Sequence, residues 1–323
     1  MKALVAHPGG FGEVLLAGPA VRAVATRAGR VTMLCGARGA PAAGLLPHVD
    51  DVVVWDTPDD GTAPPVAGLI RRLRKEAYDV ALVLGRPAPP PAARLLRTAR
   101  IRHIGPEPDP VGGTGPTGGP GRTGATGRPG GTGCGDGTVG AHGGTDAALD
   151  AAVAMGFGLR AGDDGRLRVR PAPDTAALTG NGPYVVVHPG AGGPGRAWDA
   201  ERGAAAVARL CDAGHRVVVT GGPDERELTR RVSGDIAVDL GGRTTAKALA
   251  GVLRCADAVV TASAGPAHLA DAVGTPVVSL AAPAPRTYRV PTAVPADGTA
   301  GPPDRLGPDE VTEAVATLLG THR

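Results

Sequence analysis

The stretch from Val259 to Leu280 constrains the fold of this chain more than any other part of the sequence. It reads VVTASAGPAHLADAVGTPVVSL, with a β-branched run on each side of a small-residue loop and a helix-like segment. Ser263 is a good N-cap, Pro266 suits the first helical turn, and Gly274 suits the left-handed position that ends a helix. The pattern predicts strand, tight loop, helix and strand. Such a loop leaves backbone N–H groups where a phosphate can bind, although an ordinary strand–helix–strand unit has the same pattern.

The same alternation extends along the rest of the chain. Short apolar runs begin at positions 3, 31, 52, 80, 184 and 217, and segments with helical periodicity separate many of them. Strands that alternate with helices predict an α/β fold with doubly wound parallel sheets. Aromatic residues make up only 2% of the chain, so we expect cores of Ala, Val and Leu.

Two segments of the chain echo each other. Each is an apolar run followed by His-Pro-Gly and a small residue, at His7 to Gly10 and at His188 to Ala191. The echo favours two domains of similar build. We predict a first domain over 1–172, a second over 183–300 and a C-terminal helix over 305–321, with a polar connection at 160–182.

A glycine-rich insertion interrupts the first predicted domain at about 106–144. Glycine recurs at every third position from Gly112 to Gly133. This period is typical of collagen, but the run is short and a globular sequence surrounds it. We therefore predict a flexible, solvated loop.

Composition and charge exclude several classes of protein. The net charge is +3 with both signs interspersed, which does not fit a nucleic-acid-binding protein. Four scattered cysteines form no CxxC pair, which favours reduced thiols over a metal site or disulfides. The first apolar run is too short for a signal peptide, and no run reaches the length of a membrane span. We expect a cytoplasmic protein with at most peripheral membrane contact.

Five motifs taken together resemble glycosyltransferase family 9, the ADP-heptose heptosyltransferases. They are GGFGEVLLAGPAVRA, HPGAGGPGRAWDAER, VVVTGGPDERE, DLGGRT and SAGPAHLADAVGTPVVSL, in family order along nearly the whole chain. The resemblance implies the GT-B architecture, in which two Rossmann-like domains face each other across a cleft. It also implies that the second domain binds a nucleotide sugar, by default ADP-heptose, and that the first binds the acceptor.

The first glycine-rich loop carries the candidate catalytic residue. Similar enzymes have an acidic residue, usually Asp, in this loop as the proposed base, and the matching position here is Glu13, with Gly10 and Gly12 in the acceptor loop. A base that takes the proton of the acceptor hydroxyl is what glycosyl transfer requires. Glu13 also stands where a carboxylate merely complements a helix dipole.

The resemblance places donor-binding residues in the second domain. Arg196 matches the basic residue that contacts the diphosphate, where its guanidinium offers a bidentate fork. Glu225 matches the acidic residue on the ribose hydroxyls, with Asp224 as the competing assignment, and either carboxylate also suits a helix cap. The other residues assigned to the donor site by these motifs are His188, Gly190, Thr220 and Gly221.

The opening stretch departs from the family motif Asp-Thr-Gly-Pro-x-His-Leu. Ser263 stands in place of Asp and Ala264 in place of Thr, whereas Gly265, Pro266 and His268 keep the pattern. In similar enzymes that Asp contacts the donor sugar, so the change to Ser puts the identity of the sugar in doubt. His268 is either a phosphate contact or a hydrogen-bonded structural histidine.

The sequence predicts chemistry without a metal. Asp59-Asp60 and Asp163-Asp164 are the closely spaced carboxylate pairs that we weighed, and we interpret both as solvated turns. Charge on the diphosphate would be balanced by Arg196, helix dipoles and backbone N–H groups.

We predict a metal-independent, inverting glycosyltransferase that moves a sugar from a nucleoside diphosphate to a hydroxyl acceptor. The acceptor belongs to lipopolysaccharide core or another surface glycan, or is a small natural product. A non-catalytic nucleotide-sugar-binding protein is the alternative that the changes at Glu13, Ser263 and Ala264 keep open. An NAD-dependent dehydrogenase fits less well, because the glycines at Gly9, Gly10 and Gly12 do not form GxGxxG.

Overall fold

The computed structural model describes residues 1–55, 66–85, 90–105, 143–190, 197–280 and 307–321, and two parallel sheets lie within them. The first contains Lys2–His7 (β1), Arg30–Cys35 (β2), Asp51–Val54 (β3), Val80–Val83 (β4) and His103–Gly105 (β5), in the order β3-β2-β1-β4-β5. The second contains Val185–His188 (β6), Val217–Val219 (β7), Val238–Asp239 (β8), Ala258–Thr261 (β9) and Val277–Ser279 (β10), in the order β10-β9-β6-β7-β8.

The two sheets have the same topology. In each, the first strand of the half lies at the centre, between the second and the fourth strands of that half. All the strand pairs are parallel. The predicted α/β fold with two Rossmann-like sheets is confirmed, and the His-Pro-Gly echo marks the equivalent central strands β1 and β6.

Helices connect the strands. The first half contains Phe11–Leu16 (α1), Gly18–Ala25 (α2), Ala40–Ala43 (α3), Ala67–Glu76 (α4) and Pro90–Thr98 (α5), and Gly143–Ala154 (α6) and Ala176–Thr179 (α7) lead into the second half. The second half contains Ala200–Asp212 (α8), Arg226–Ser233 (α9), Ala246–Arg254 (α10), Ala264–Val273 (α11) and Pro308–Thr321 (α12), with a 3₁₀ turn at Pro223–Glu225.

Helix α11 has the predicted position but not all of the predicted cap. Gly274 ends it in the left-handed region with φ +88°, and Pro266 lies in its first turn. Ser263 is the N-cap residue, yet its hydroxyl makes no capping hydrogen bond, so that part of the prediction is wrong. The turn is instead held by Thr261, whose hydroxyl oxygen accepts the Ser263 N–H at 3.0 Å. The Ser263 side chain is therefore not used to hold the helix.

The first helical segment is divided into two helices at Ala17. Pro19 lies at the start of α2, and proline has no N–H to donate to the preceding turn. The helix after the insertion, α6, ends at Ala154. Gly156 follows in the left-handed region with φ +80°, which terminates the helix.

Three buried clusters form the core, and they consist mainly of Ala, Val and Leu, as predicted. The first cluster contains Val5 and Val14 from the first half together with Val186, Val259 and Leu269 from the second. Helices α1 and α11 contact each other directly within it. The two sheets are therefore joined by a continuous apolar core, while the predicted domain limits remain a prediction.

The chain between the two sheets packs closely against the second half. A β-carbon on Gly251 of α10 would lie 2.5 Å from the carbonyl oxygen of Pro173 and 2.7 Å from a methyl carbon of Thr175. The predicted insertion at 106–144 lies outside the described residues except for its last two positions.

The prediction of solvated turns is wrong for Asp163. Its carboxylate accepts hydrogen bonds from Nε and Nη2 of Arg22, each at 2.8 Å, and the two side chains are only 13% and 7% exposed. The guanidinium holds the pKa of Asp163 at about 2. Asp164 does lie at the surface, beside Arg168, and Asp59-Asp60 lie outside the described residues.

Candidate active site

The candidate site lies at the carboxyl ends of the central strands of both sheets. Strand β1 lies beside β4 and β6 lies beside β9, so each sheet changes its direction of winding at these pairs. Loops that leave such a switch point diverge to opposite faces and form a crevice in which ligands bind. The loops after β1, β6 and β9 carry predicted site residues, and Thr220, Gly221 and Glu225 follow β7, the strand next to β6.

Glu13 lies in the first turn of α1, at the end of the loop after β1. Its Oε2 accepts the N–H of Gly10, the N-cap residue, at 2.8 Å, and the side chain is exposed. This hydrogen bond is the helix-terminal role that the sequence left open. It fixes one carboxylate oxygen.

His7 lies on the other side of the same loop. Its Nδ1 accepts the Gly9 N–H at 3.1 Å. A β-carbon on Gly9 would clash with Oε2 of Glu13 and would lie 2.8 Å from Cε1 of His7, so both side chains close on this glycine. Burial lowers the pKa of His7, and the nearby Glu13 carboxylate acts in the opposite direction. Sequence reasoning did not assign His7 to the site, although the His-Pro-Gly echo was the signal for it.

The second half contains a comparable group around Glu225. Its Oε2 accepts the Gly222 N–H at 2.7 Å and lies 3.9 Å from Nε2 of His188. The other ring nitrogen of His188 lies 3.0 Å from the hydroxyl oxygen of Thr220. Burial lowers the pKa of His188, opposed by the Glu225 carboxylate. Gly190 lies against this carboxylate so closely that a β-carbon there would overlap it.

The structure thus brings together His188, Gly190, Thr220, Gly221 and Glu225. A β-carbon on Gly221 would lie 3.3 Å from Cβ and Oε2 of Glu225. Asp224, the competing residue, is exposed. Of the two carboxylates, only that of Glu225 is within 4 Å of the His188 ring.

The third loop leads from β9 into α11. Thr261 pairs with His188 in the sheet, which brings this loop next to the Glu225 group. Ala264 is exposed at the start of α11, whereas Gly265 and Pro266 are buried. The first N–H groups of a helix have no partner within the helix, so those of Ala264 and Gly265 can be donors to a ligand.

His268 lies deeper in α11 and is 8% exposed. Burial lowers its pKa. Within the part of the chain that the structure describes, the ring makes no hydrogen bond. The hydrogen-bonded structural role therefore finds no support, and the phosphate role stays a prediction.

The first and third loops touch across the two halves. A β-carbon on Gly12 would lie 3.1 Å from Cα and 3.2 Å from the backbone nitrogen of Gly265. A β-carbon on Gly265 would in turn lie 3.1 Å from Cδ1 of Phe11. Only glycines allow this approach of two backbones. Glu13, the next residue after Gly12, is consequently adjacent to the N-terminal end of α11.

Arg196 lies outside the described residues, whereas Trp198 and Asp199, which follow it, are described. Trp198 is 1% exposed and its backbone N–H donates to the carbonyl oxygen of Pro189 at 2.9 Å. Asp199 then caps α8 by accepting the Arg202 N–H at 3.0 Å. Trp198 is therefore held beside Pro189, the residue that follows His188.

Two properties of the described residues concern metals and membranes. No group of three or more His, Cys, Asp or Glu side chains in them is arranged to hold a metal ion. No helix among them has the length and apolar character to cross a bilayer.

Comparison with known proteins identifies the second half most clearly. Residues 151–296 match the model of glycosyltransferase family 9 (heptosyltransferase). A curated relative, lipopolysaccharide heptosyltransferase 3 of Escherichia coli, is 31% identical over 119 residues, which cover 35% of this chain and 34% of the relative. The match thus spans about a third of the length of that curated relative.

Solved structures have a similar fold over the whole chain. The glycosyl transferase family 9 protein of Veillonella parvula has a TM-score of 0.68 at 15% identity, and the match covers 99% of this chain and 97% of that one. The ADP-heptose lps heptosyltransferase II of E. coli has a TM-score of 0.67 at 18% identity, with coverage of 100% and 99%. The likeness establishes the fold.

A less similar solved structure bears on the prediction that no metal is required. The dodecameric glycosyltransferase TibC of enterotoxigenic E. coli, described as iron-containing, has a TM-score of 0.51 at 15% identity and covers 100% of this chain and 77% of that one. Proteins of this fold therefore include one that contains a metal.

Proposed function

We propose that the protein transfers a sugar from a nucleoside diphosphate to a hydroxyl acceptor, on the premise that residues 151–296 match the model of glycosyltransferase family 9. The donor that we propose is ADP-heptose, which is named in the description of a structure of the same fold. The observation that carries the proposal is the contact between Gly12 and Gly265. Because of this contact, the Glu13 carboxylate of the first half lies beside the start of α11 in the second half, as transfer between two substrates requires.

We assign the base to Glu13. In an inverting transfer the acceptor oxygen attacks the anomeric carbon, the bond from that carbon to the diphosphate oxygen breaks, and the hydroxyl proton passes to the carboxylate. Oε2 is held by the Gly10 N–H, which leaves Oε1 to take this proton. The exposure of the side chain supports the assignment, because the base must reach a bound acceptor.

We assign donor binding to the second half. Glu225 is aligned by the Gly222 N–H and lies beside His188, an arrangement that suits recognition of two ribose hydroxyls. The N–H groups at the start of α11 would receive the departing diphosphate, together with Arg196. The Ser263 hydroxyl, which caps nothing, would take the place of the usual carboxylate at the donor sugar.

The decisive experiment separates transfer from donor binding. Wild-type protein and Glu13→Gln are incubated with ADP-heptose and a panel of core-glycan and small hydroxylated acceptors, and products are detected by mass spectrometry. We expect a loss of turnover of about 10²–10⁴-fold in Glu13→Gln, with donor affinity by calorimetry unchanged. Glu13→Asp, which restores the residue usual in similar enzymes, is the matched control and should retain turnover.

A second candidate is a nucleotide-sugar-binding protein without transferase activity. The bond from Gly10 to Glu13 favours it, because it gives Glu13 a structural role. Donor binding by the wild type without turnover of any acceptor would select this candidate. Binding of no nucleotide sugar would refute both.

Independence from metal and the cytoplasmic location also remain predictions. Turnover that persists after treatment with EDTA and an iron chelator supports chemistry without a metal. Loss of turnover that iron or magnesium restores would overturn it.

A further inference from the structure

The structure contains a cavity at the opposite end of the first sheet's strands from Glu13. It lies at the amino ends of β4 and β5, whereas the candidate active site lies at the carboxyl ends. Its volume is about 900 Å³, within the range of small-molecule sites. It contains no residue of the proposed transferase site.

Arginine side chains line this cavity. Arg27, Arg97 and Arg102 contribute to its wall together with His103, and Asp79 is the one carboxylate among the described lining residues. The Asp79 carboxylate already has a partner, because its Oδ2 accepts the backbone N–H of Lys2 at 2.8 Å. Among the described lining residues, Arg27 and Arg102 alone outnumber the one carboxylate, and this balance favours an anion.

The side chains that line the cavity differ in how they are held. Arg27 donates from Nη1 to the carbonyl oxygen of Gly156 at 3.1 Å, which fixes its guanidinium at the cavity wall. The side chains of Arg102 and His103 are exposed, and neither makes a hydrogen bond within the described residues. Arg102 thus has all its donors available, in the fork geometry that suits a phosphate.

The inner wall of the cavity is apolar. Ile101 and Phe157 are 7% and 5% exposed, and Ile104 and Met155 are half-buried beside them. Met155 lies against Gly105, where a β-carbon would be 3.1 Å from its sulfur. An apolar wall below a guanidinium rim matches a ligand with an anionic head and an apolar body.

From this arrangement we propose that the cavity binds an organic phosphate with an apolar body, through Arg102 at its rim. The chemistry is shared by phospholipid head groups and by water-soluble phosphate monoesters. The proposal does not depend on the transferase function, since no residue of that site is involved.

The test uses the full chain and octyl phosphate as the probe, with inorganic phosphate and uncharged octyl glucoside as comparison ligands. Calorimetry is performed on the wild type, Arg102→Glu and Arg30→Glu. Arg30 is the matched control, because it is an exposed arginine at the amino end of β2 and does not line the cavity. Arg102→Ser accompanies the reversal in case the added carboxylate perturbs folding.

We expect octyl phosphate to bind more tightly than either comparison ligand. Arg102→Glu should weaken it by at least about tenfold, as the loss of a charged hydrogen bond implies, and Arg30→Glu should leave it within about twofold of wild type. Equal effects of the two reversals, or absence of octyl phosphate binding to the wild type, would overturn the proposal. Equal affinity for octyl glucoside would overturn it as well.

A sedimentation arm distinguishes the two sources of the phosphate. The same proteins are mixed with vesicles of phosphatidylglycerol or of phosphatidylcholine. Sedimentation with phosphatidylglycerol alone that is lost in Arg102→Glu but kept in Arg30→Glu supports a lipid head group. Binding of octyl phosphate without sedimentation supports a soluble ligand.

Discussion

The buried ion pair of Arg22 and Asp163 allows a quantitative prediction about the first half of the chain. Asp163→Asn preserves the shape of the side chain but removes its charge. Arg22, which is 7% exposed, would then keep a buried positive charge whose acceptors are all neutral, the amide oxygen of the new side chain and the carbonyl oxygen of Arg166 at 2.8 Å. Its Nη1 already has no partner within the described residues.

The size of the effect follows from the pKa of Asp163. A fall from 3.8 to about 2 corresponds to roughly 2 kcal/mol of stabilisation at neutral pH, since one pKa unit is about 1.4 kcal/mol. Removing one partner of a buried pair costs about 3–5 kcal/mol in general, because the other charge is left uncompensated. We therefore expect Asp163→Asn to lose about 2–4 kcal/mol.

Urea unfolding at pH 7, followed by circular dichroism, measures this loss. Asp164→Asn is the matched control: the neighbouring residue undergoes the same substitution, but its partners Arg166 and Arg168 are exposed. Exposed pairs contribute little, so the control should unfold at the wild-type urea concentration. Equal midpoints for Asp163→Asn and Asp164→Asn would refute the buried pair.

The same pair predicts an acid dependence. The folded-state pKa of Asp163 is depressed, so its stabilisation is fully present above pH 3.8 and is lost as the pH falls toward 2. The difference between wild type and Asp163→Asn should narrow by roughly half by pH 3. A difference that stays constant over this range would contradict the assigned pKa.

Three further predictions concern the candidate site. Gly265→Ala should destabilise the protein by about 1–3 kcal/mol, because the added methyl meets Phe11 across the two halves at 3.1 Å; an unchanged urea midpoint would exclude that contact. Gly190→Ala should displace the Glu225 carboxylate and weaken donor binding by about tenfold or more. Gly68→Ala is the control, because nothing lies near its new methyl group, and it should bind the donor as the wild type does. Equal donor affinity of the two variants in calorimetry would show that Glu225 does not contact the donor. Burial lowers the pKa of His7, His188 and His268 in the folded protein. The free energy of unfolding should therefore be highest above pH 6.5 and fall below it, because the unfolded chain takes up protons first. A melting temperature that is constant from about pH 7.5 to 5 would contradict this.

The sequence predicted much of the fold because the signals for it are local. The β-branched runs and glycine turns around α11 define strand, helix and strand within 22 residues, and Gly274 ends the helix as expected. The His-Pro-Gly echo predicted two similar halves, which the identical strand orders confirm. Ser263 was the local exception, because the turn made by Thr261 replaced its cap.

The candidate site was predictable only in part. The motifs assigned Glu225 and His188 to the site, but they did not indicate that the carboxylate lies against Gly190, or that Glu225 rather than Asp224 faces the histidine. Both depend on how two loops after neighbouring strands meet. His7 was not assigned, although it lies in the His-Pro-Gly echo, because the motif alone does not show that its ring and the Glu13 carboxylate close on the same glycine.

The sequence by itself determined the type of fold, the positions of most turns, and the chemical character of each loop, since these depend on residues a few positions apart. The tertiary structure decided which distant residues meet. Arg22 pairs with Asp163 across 141 positions, and Gly12 meets Gly265 from the other sheet. Such contacts are set by the packing of whole sheets around a shared apolar core, which fixes loop against loop in space without a corresponding pattern along the chain.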